Sequence, residues 1–418
     1  MSRILLTWEL GLNLGHLTRL LPVAQRLKAD GHVVLVATRD IQAAATVLGP
    51  AGIPFVQAPH LSKGIPLAHR PAGYADILLS QGWSDCPTLH GLTHAWLNLL
   101  RLYNPDRLLL DYSPTVSLAA RVAQLPTVCV GNGFELPPAL HPLPPFPGFS
   151  WATPERAAES EGLAVANANR VLSAFVAPRL TSLRDLLMGR TVLLATFPEL
   201  DHYGERSDAR YIGPLLGKLR APRVEWPPEQ GPRIFACLRP DTSHVRLILG
   251  ALAESDARVI CVAAGFTAAQ LEAFRKEHIR FTSGPVDLDP LGDAQLCITY
   301  GAEGTMWRFL RAGVPQLISP WHVETFMAAR KIEAAGFGAT LTGAPSQQLV
   351  TDLIRALSVD ARMRERVERF AKSTTTLEAE QEVVAVMAGG ALESGSGPKS
   401  PDDSAAVLTG REGRRIHA

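Results

Sequence analysis

The residues best suited to chemistry cluster at a few places in the chain. Near the N-terminus, Gly15-His16 follows the apolar run Ile4-Leu5-Leu6-Thr7-Trp8. It opens a segment with Leu17, Leu20, Leu21, Ala24 and Leu27 at helical spacing. A histidine in the first turn of a helix sits at the positive end of the helix dipole. That position disfavours the imidazolium, so the ring is expected to be neutral and able to accept a proton. Asp111 closes a second apolar run, Arg107-Leu108-Leu109-Leu110. A carboxylate beside His16 would fix its tautomer and stabilise the cation formed on proton uptake. Each residue also fits a plainer role: a histidine packed at a turn, and an aspartate capping the helix that starts near Ser113.

In the second half, Tyr300-Gly301-Ala302-Glu303-Gly304-Thr305 stands between a short apolar run, residues 294–299, and a helical segment from Met306 to Leu310. Strand, glycine turn and helix N-terminus together present free N–H groups and a positive dipole end, which suits a phosphate. The same glycines also fit an ordinary βα turn. Arg239, after the strand expected at Ile234 to Leu238, is either an anion ligand beside this turn or a surface ion-pair partner. Trp321-His322-Val323-Glu324-Thr325 follows another strand end at Pro320. Glu324 there can accept hydrogen bonds from sugar-like hydroxyls, or simply open the next helix, where an acid is favoured anyway.

The elements that must position these groups alternate between strand-like and helical patterns. The first series runs through strands near residues 4–8, 33–37, 55–56, 107–110, 127–130 and 191–194. A run dense in glycine and proline, residues 213–232, reads as an interdomain linker. A second alternating series begins at Ile234. Pro22 falls inside the first helical pattern and should cost it a hydrogen bond. Residues 60–85 read as a loop-rich insertion and residues 135–150, with six prolines, as a surface excursion. The expected architecture is α/β: an N-terminal Rossmann-like domain (1–212), the linker, a second Rossmann-like domain (233–390) and a disordered tail (391–418). Two such domains imply a cleft between two strand-end edges, where ligands bind.

Composition narrows the classes. The chain has 418 residues, 46% hydrophobic and 19% charged, as in ordinary globular proteins. A net charge of +1 provides no pull toward nucleic acid. The five dispersed cysteines lack CxxC spacing and read as reduced thiols. No secretory leader and no apolar stretch of spanning length is visible, so a cytoplasmic location is expected. A nicotinamide oxidoreductase is disfavoured, because no GxGxxG follows the first strand.

Taken in order, these segments resemble the GT-B glycosyltransferases of the UDP-glycosyltransferase superfamily, including its bacterial macrolide-modifying members. The resemblance rests on Gly15-His16, on Pro105-Asp106 leading to Asp111, and on Phe197-Pro198-Glu199-Leu200 and Tyr211-Ile212-Gly213-Pro214. It continues through Thr299 to Thr305, Ala312-Gly313-Val314-Pro315 and Pro320 to Arg330. It implies inverting, metal-independent transfer of a sugar from a nucleotide-diphosphate donor, UDP- or dTDP-linked, to a hydroxyl of a small or lipid-like acceptor. No other cofactor is implied. In that reading His16 is the base and Asp111 its partner. Tyr300, Gly301, Ala302, Glu303, Gly304, Thr305 and Arg239 hold the diphosphate. Glu324, Thr325 and Trp321 bind the donor sugar.

Departures from the family pattern fall in the donor site and near the base. Tyr300 replaces a diphosphate-contacting histidine, and Arg239 is expected to supply the missing charge. Thr325 and Ala328 replace a common Gln and Asn, which points to a deoxysugar or another unusual donor. Arg19 stands where proline is usual. The segment from Gly284 to Asp293 is short and lacks the usual Gln. Alternatives are a catalytically silent homologue that binds or activates a partner transferase, and a sugar-nucleotide epimerase. Residues 60–85 and 134–150 leave open a peripheral membrane contact for a lipid acceptor.

Overall fold

The computed structural model describes residues 1–12, 14–187, 191–374 and 378–389; the tail expected to be disordered lies outside them. The first domain runs through β1 (Arg3–Trp8), α1 (Gly15–Ala29), β2 (Val33–Thr38), α2 (Ile41–Val47), β3 (Phe55–Gln57), α3 (Tyr74–Leu78) and α4 (Cys86–Tyr103). It continues with β4 (Arg107–Asp111), α5 (Pro114–Ala123), β5 (Thr127–Gly131), α6 (Pro154–Ala174), α7 (Arg184–Leu187), β6 (Thr191–Leu194) and β7 (Arg210–Tyr211). The second domain holds β8 (Arg233–Cys237), α8 (Val245–Ala253), β9 (Arg258–Val262), α9 (Ala268–Glu272) and β10 (Ile279–Thr282). After these come β11 (Leu296–Thr299), α10 (Glu303–Arg311), β12 (Gln316–Ile318), α11 (Val323–Ala334) and β13 (Gly338–Thr340). Helices α12 (Gln347–Val359), α13 (Ala361–Ser373) and α14 (Ala379–Met387) close the described chain.

Both sheets are parallel. Their strand orders are β3-β2-β1-β4-β5-β6-β7 and β10-β9-β8-β11-β12-β13. Unbroken apolar runs make the central strands: Ile4, Leu5 and Leu6 in β1 and Leu296, Cys297 and Ile298 in β11 are fully buried. Such runs suit strands covered by helices on both faces. The order reverses between β1 and β4 in one sheet and between β8 and β11 in the other. Ligands of open α/β sheets bind at these switch points. His16 and Asp111 lie at the first, Arg239 and the Gly301 turn at the second.

Pro22 does not break α1. Lacking an N–H, it leaves the Thr18 carbonyl without its helical donor. The Gly217 amide of the linker supplies one at 2.8 Å. Proline thus converts a missing helical bond into a docking point for the interdomain segment. Arg308 of α10 donates to the Gly217 carbonyl on the other side, so the linker touches both domains here.

Three expectations are corrected. Residues 60–85 are not merely an insertion: α3 and the turn after it bury Tyr74, Leu78, Leu79 and Trp83 in the main core of the first domain. The proline-dense excursion has no regular element, yet Leu143 and Phe146 are buried in the same core. The range 233–390 also does not stay in the second domain. Helix α14 crosses back and buries Val383 and Met387 in a core shared with Ile4 of β1, Ala24 and Leu27 of α1 and Val34 of β2. The Arg210–Glu382 ion pair, 2.7 Å, fastens it to β7. Among the described residues no helix is long and apolar enough to cross a membrane. The five cysteines are unbridged.

Candidate active site in the interdomain cleft

His16 is the second residue of α1, and Asp111 is the last of β4. Strands β1 and β4 pair in register with Trp8 opposite Asp111, so the two segments leave the sheet at the same level. His16 Nδ1 lies 3.0 Å from Asp111 Oδ1. The imidazole stacks on the Trp8 indole, with centroids 5.1 Å apart and planes 18° from parallel, and Tyr112 lies 6.2 Å away. Asp111 is fully buried behind the ring. Gly11 keeps the space at Nε2 open, because a Cβ there would lie 2.3 Å from that nitrogen.

The groups around the ring, and not only the helix dipole, set its proton affinity. Burial alone would lower the His16 pKa, but the Asp111 carboxylate opposes it, Glu135 adds to the effect, and the value rises above 6.5. Two residues not assigned a role from the sequence complete the cluster. Arg19 lies one helical turn beyond His16; its Nη1 is 2.7 Å from Asp111 Oδ1 and 2.5 Å from Glu135 Oε2. Glu135 Oε1 is 3.7 Å from His16 Nδ1. Glu135 comes from the loop after β5, where its carboxylate also accepts the Asn132 amide at 2.8 Å. Its position in a proline-dense run hides it in the sequence; Arg19 shows there only as a departure from the family pattern.

Across the cleft, Gly301 has φ +94°, and a Cβ on it would meet Thr325 Cβ at 2.7 Å. Glycine is required on both counts. Helix α10 starts at Glu303 with no side-chain cap from Ala302, so its first amides are available to an anion. Arg239 packs over Trp321 at 4.7 Å and over Tyr300 at 5.8 Å from the ring centroids. It also pairs with Asp241 at 3.1 Å. Burial pushes the Tyr300 phenol up to about 12, so it stays a hydrogen-bond donor.

The residues expected to bind a donor sugar divide. Glu324 faces the first domain and accepts from Asn132 Nδ2 at 3.2 Å. Burial, with Glu135 and Glu303 nearby, raises its pKa to about 7. Trp321 borders the cleft beside Arg239. Thr325 departs from the expected role. Its Oγ1 accepts the amides of Trp321 and His322 at 3.1 and 3.2 Å and donates to the His322 carbonyl at 2.9 Å. The hydroxyl is consumed in capping α11.

His16, Arg239, the Tyr300–Thr305 turn, Trp321, Glu324 and Thr325 all border one cavity of about 780 Å³ between the domains. That volume suits a ligand larger than a simple sugar. Three side-chain contacts join the two domains beside it: Arg19 Nη2 to Glu303 Oε2 at 2.9 Å, and Asn132 Nδ2 to Glu303 at 3.3 Å and to Glu324 at 3.2 Å. The cleft therefore opposes a histidine–carboxylate pair to a glycine turn that opens an uncapped helix.

No protein-family model matches the chain, and no curated protein does. Solved structures match it nearly end to end. The spinosyn rhamnosyltransferase SpnG is 18% identical with a TM-score of 0.65, covering 93% of this chain and 100% of that one; it is also known in complex with the spinosyn aglycone. The glycosyltransferase VinC in complex with dTDP is 19% identical with a TM-score of 0.67, over 93% and 98% of the two chains. The glycotransferase of kitacinnamycin is 16% identical with a TM-score of 0.71, over 93% and 98%. The chain shares with them the GT-B fold, two Rossmann-like domains facing each other across a cleft.

Proposed function

We propose that this chain is a glycosyltransferase that moves a sugar from a UDP- or dTDP-linked donor to a hydroxyl of a small acceptor, inverting the anomeric centre without a metal. One observation carries the reading. A histidine held at 3.0 Å from a buried carboxylate faces, across a single cavity, a glycine turn that opens an uncapped helix. The VinC complex with dTDP and the SpnG complex with an aglycone support a nucleotide donor and a small acceptor for this fold.

In the proposed step, His16 Nε2 takes the proton of the acceptor hydroxyl as its oxygen attacks the anomeric carbon. The bond from that carbon to the diphosphate oxygen breaks, and the nucleoside diphosphate leaves with the bonding electrons. Asp111 receives the Nδ1–H hydrogen bond and stabilises the imidazolium. The α10 amides, the Tyr300 hydroxyl and Arg239 meet the charge growing on the leaving diphosphate. Glu324 accepts hydroxyls of the donor sugar. Attack from the side opposite the leaving group inverts the configuration. The unbridged cysteines accord with a cytoplasmic setting.

Incubation with UDP- and dTDP-sugars and a panel of hydroxyl-bearing acceptors tests this, with NMR of the product's anomeric proton. Nucleotide binding without any transfer would point instead to a silent homologue serving a partner enzyme.

A further inference from the structure

Arg19 is a buried cation that borders the cleft. It belongs to α1 of the first domain, yet its two terminal nitrogens reach carboxylates from three other segments: Asp111 at the end of β4, Glu135 after β5 and Glu303 at the start of α10. We propose that Arg19 is a positioning residue that joins the two halves of the site, setting the charge felt by His16 and holding the Glu303 carboxylate off the anion-binding end of α10. The proposal rests on the donor-site reading above and goes beyond it in naming what couples donor site to base.

The geometry supports both roles. Glu303 is the first helical residue of α10, where a carboxylate is favoured by the dipole and competes with a bound phosphate for the same amides. Its oxygens are instead held by side chains: Oε2 by Arg19 at 2.9 Å and Asn132 at 3.3 Å, Oε1 by Trp307 Nε1 at 3.2 Å. Arg19 and Asn132 tie one oxygen to the first domain, and Trp307, on α10 itself, holds the other. On the His16 side, the ring is faced by Asp111 and Glu135, with Glu324 from α11 also within electrostatic reach. Arg19 is the cation among them and opposes the upward push these acids exert on the imidazole. Without it, Asp111 and Glu135 would stay buried without their shared counter-charge.

The test uses the full chain with Arg19→Met, Arg19→Lys, Glu303→Gln and the double variant Arg19→Met/Glu303→Gln. The His16 imidazole is titrated by NMR, and dTDP and UDP binding are measured by calorimetry. Arg19→Met should shift the His16 titration upward, while Arg19→Lys keeps it near wild type. Arg19→Met should also weaken diphosphate binding by roughly tenfold or more. Adding Glu303→Gln should recover most of that binding but leave the His16 shift in place. A folded Arg19→Met with an unchanged His16 titration overturns the proposal, as does a double variant binding no tighter than Arg19→Met. If Arg19→Met does not fold, Glu303→Gln decides: binding close to wild type, as expected of a carboxylate already held off the amides, supports the proposal, and clearly tighter or weaker binding overturns it. Wild type binding neither nucleotide overturns the donor-site reading, whereas the His16 titration still decides whether Arg19 governs the base.

Discussion

Asp111 is the register partner of Trp8, and that pairing brings Asp111 Oδ1 to 3.0 Å from His16 Nδ1 although 95 residues separate them in the chain. The indole of Trp8 also stacks on the imidazole. One strand pair therefore sets the position, the partner and the ring plane of the proposed base.

This pair predicts the pH behaviour. His16 must be neutral to act as a base, and Asp111 and Glu135 hold its pKa above 6.5. The acidic limb of kcat/KM should accordingly fall above pH 6.5. Asp111→Asn removes the largest upward influence and leaves burial to dominate, so the limb should move down in pH. Transfer should also fall, by up to about 10⁴, because the amide no longer fixes the tautomer of the base. A pH–rate profile of the two proteins checks both.

Gly301 should tolerate no side chain. Its φ of +94° and its approach to Thr325 mean that Gly301→Ala strains the turn before α10 and displaces the α11 cap together. The expected cost exceeds about 1 kcal/mol of stability, with dTDP or UDP affinity falling in parallel. Denaturant unfolding and calorimetry would show it.

Much of this site is legible in the sequence, for physical reasons. His16, Asp111 and the Gly301 turn each follow an apolar strand run, and strand ends at a switch point are where a parallel sheet exposes function. Glu135 and Asn132 follow β5 too, but a proline-dense context disguises a loop that folds inward. Thr325 is misleading because hydroxyl chemistry alone does not distinguish a sugar contact from a cap. Only the folded chain shows its oxygen turned to the Trp321 and His322 amides. The crossing of α14 is equally hidden, since an apolar helix face does not declare which sheet it will cover.

Glu9 predicts a pH dependence of stability separate from activity. It is 1% exposed, accepts the Thr115 amide at 2.8 Å, and burial raises its pKa from 4.5 to about 7. A carboxyl whose folded pKa is raised binds its proton more tightly in the native state. Its contribution is present below pH 4.5 and is lost as pH rises to about 7. Glu9→Gln should remove that part of the decline, raising stability at about pH 8 relative to wild type by up to about 3 kcal/mol. Thermal melts of both proteins from acid to mildly alkaline pH would reveal it.

Arg239 is expected to matter moderately. Its guanidinium is shared among Asp241, Trp321 and Tyr300 and is partly open to solvent. Arg239→Ala should weaken nucleoside-diphosphate binding by roughly tenfold, about 1.4 kcal/mol, without shifting the His16 pH limb. Unchanged affinity would leave the diphosphate to the α10 amides and Tyr300 alone.

Catalysis by His16 is separated from mere binding by comparing wild type with His16→Ala in an assay that follows both nucleotide affinity and sugar transfer. Wild type is expected to form a glycoside of inverted anomeric configuration from a UDP- or dTDP-sugar. His16→Ala should bind the same nucleoside diphosphate with near-wild-type affinity and lose transfer by about 10²–10⁴. Transfer that survives the substitution, or product that keeps the donor's configuration, would contradict the assignment of His16 as the base of an inverting transferase.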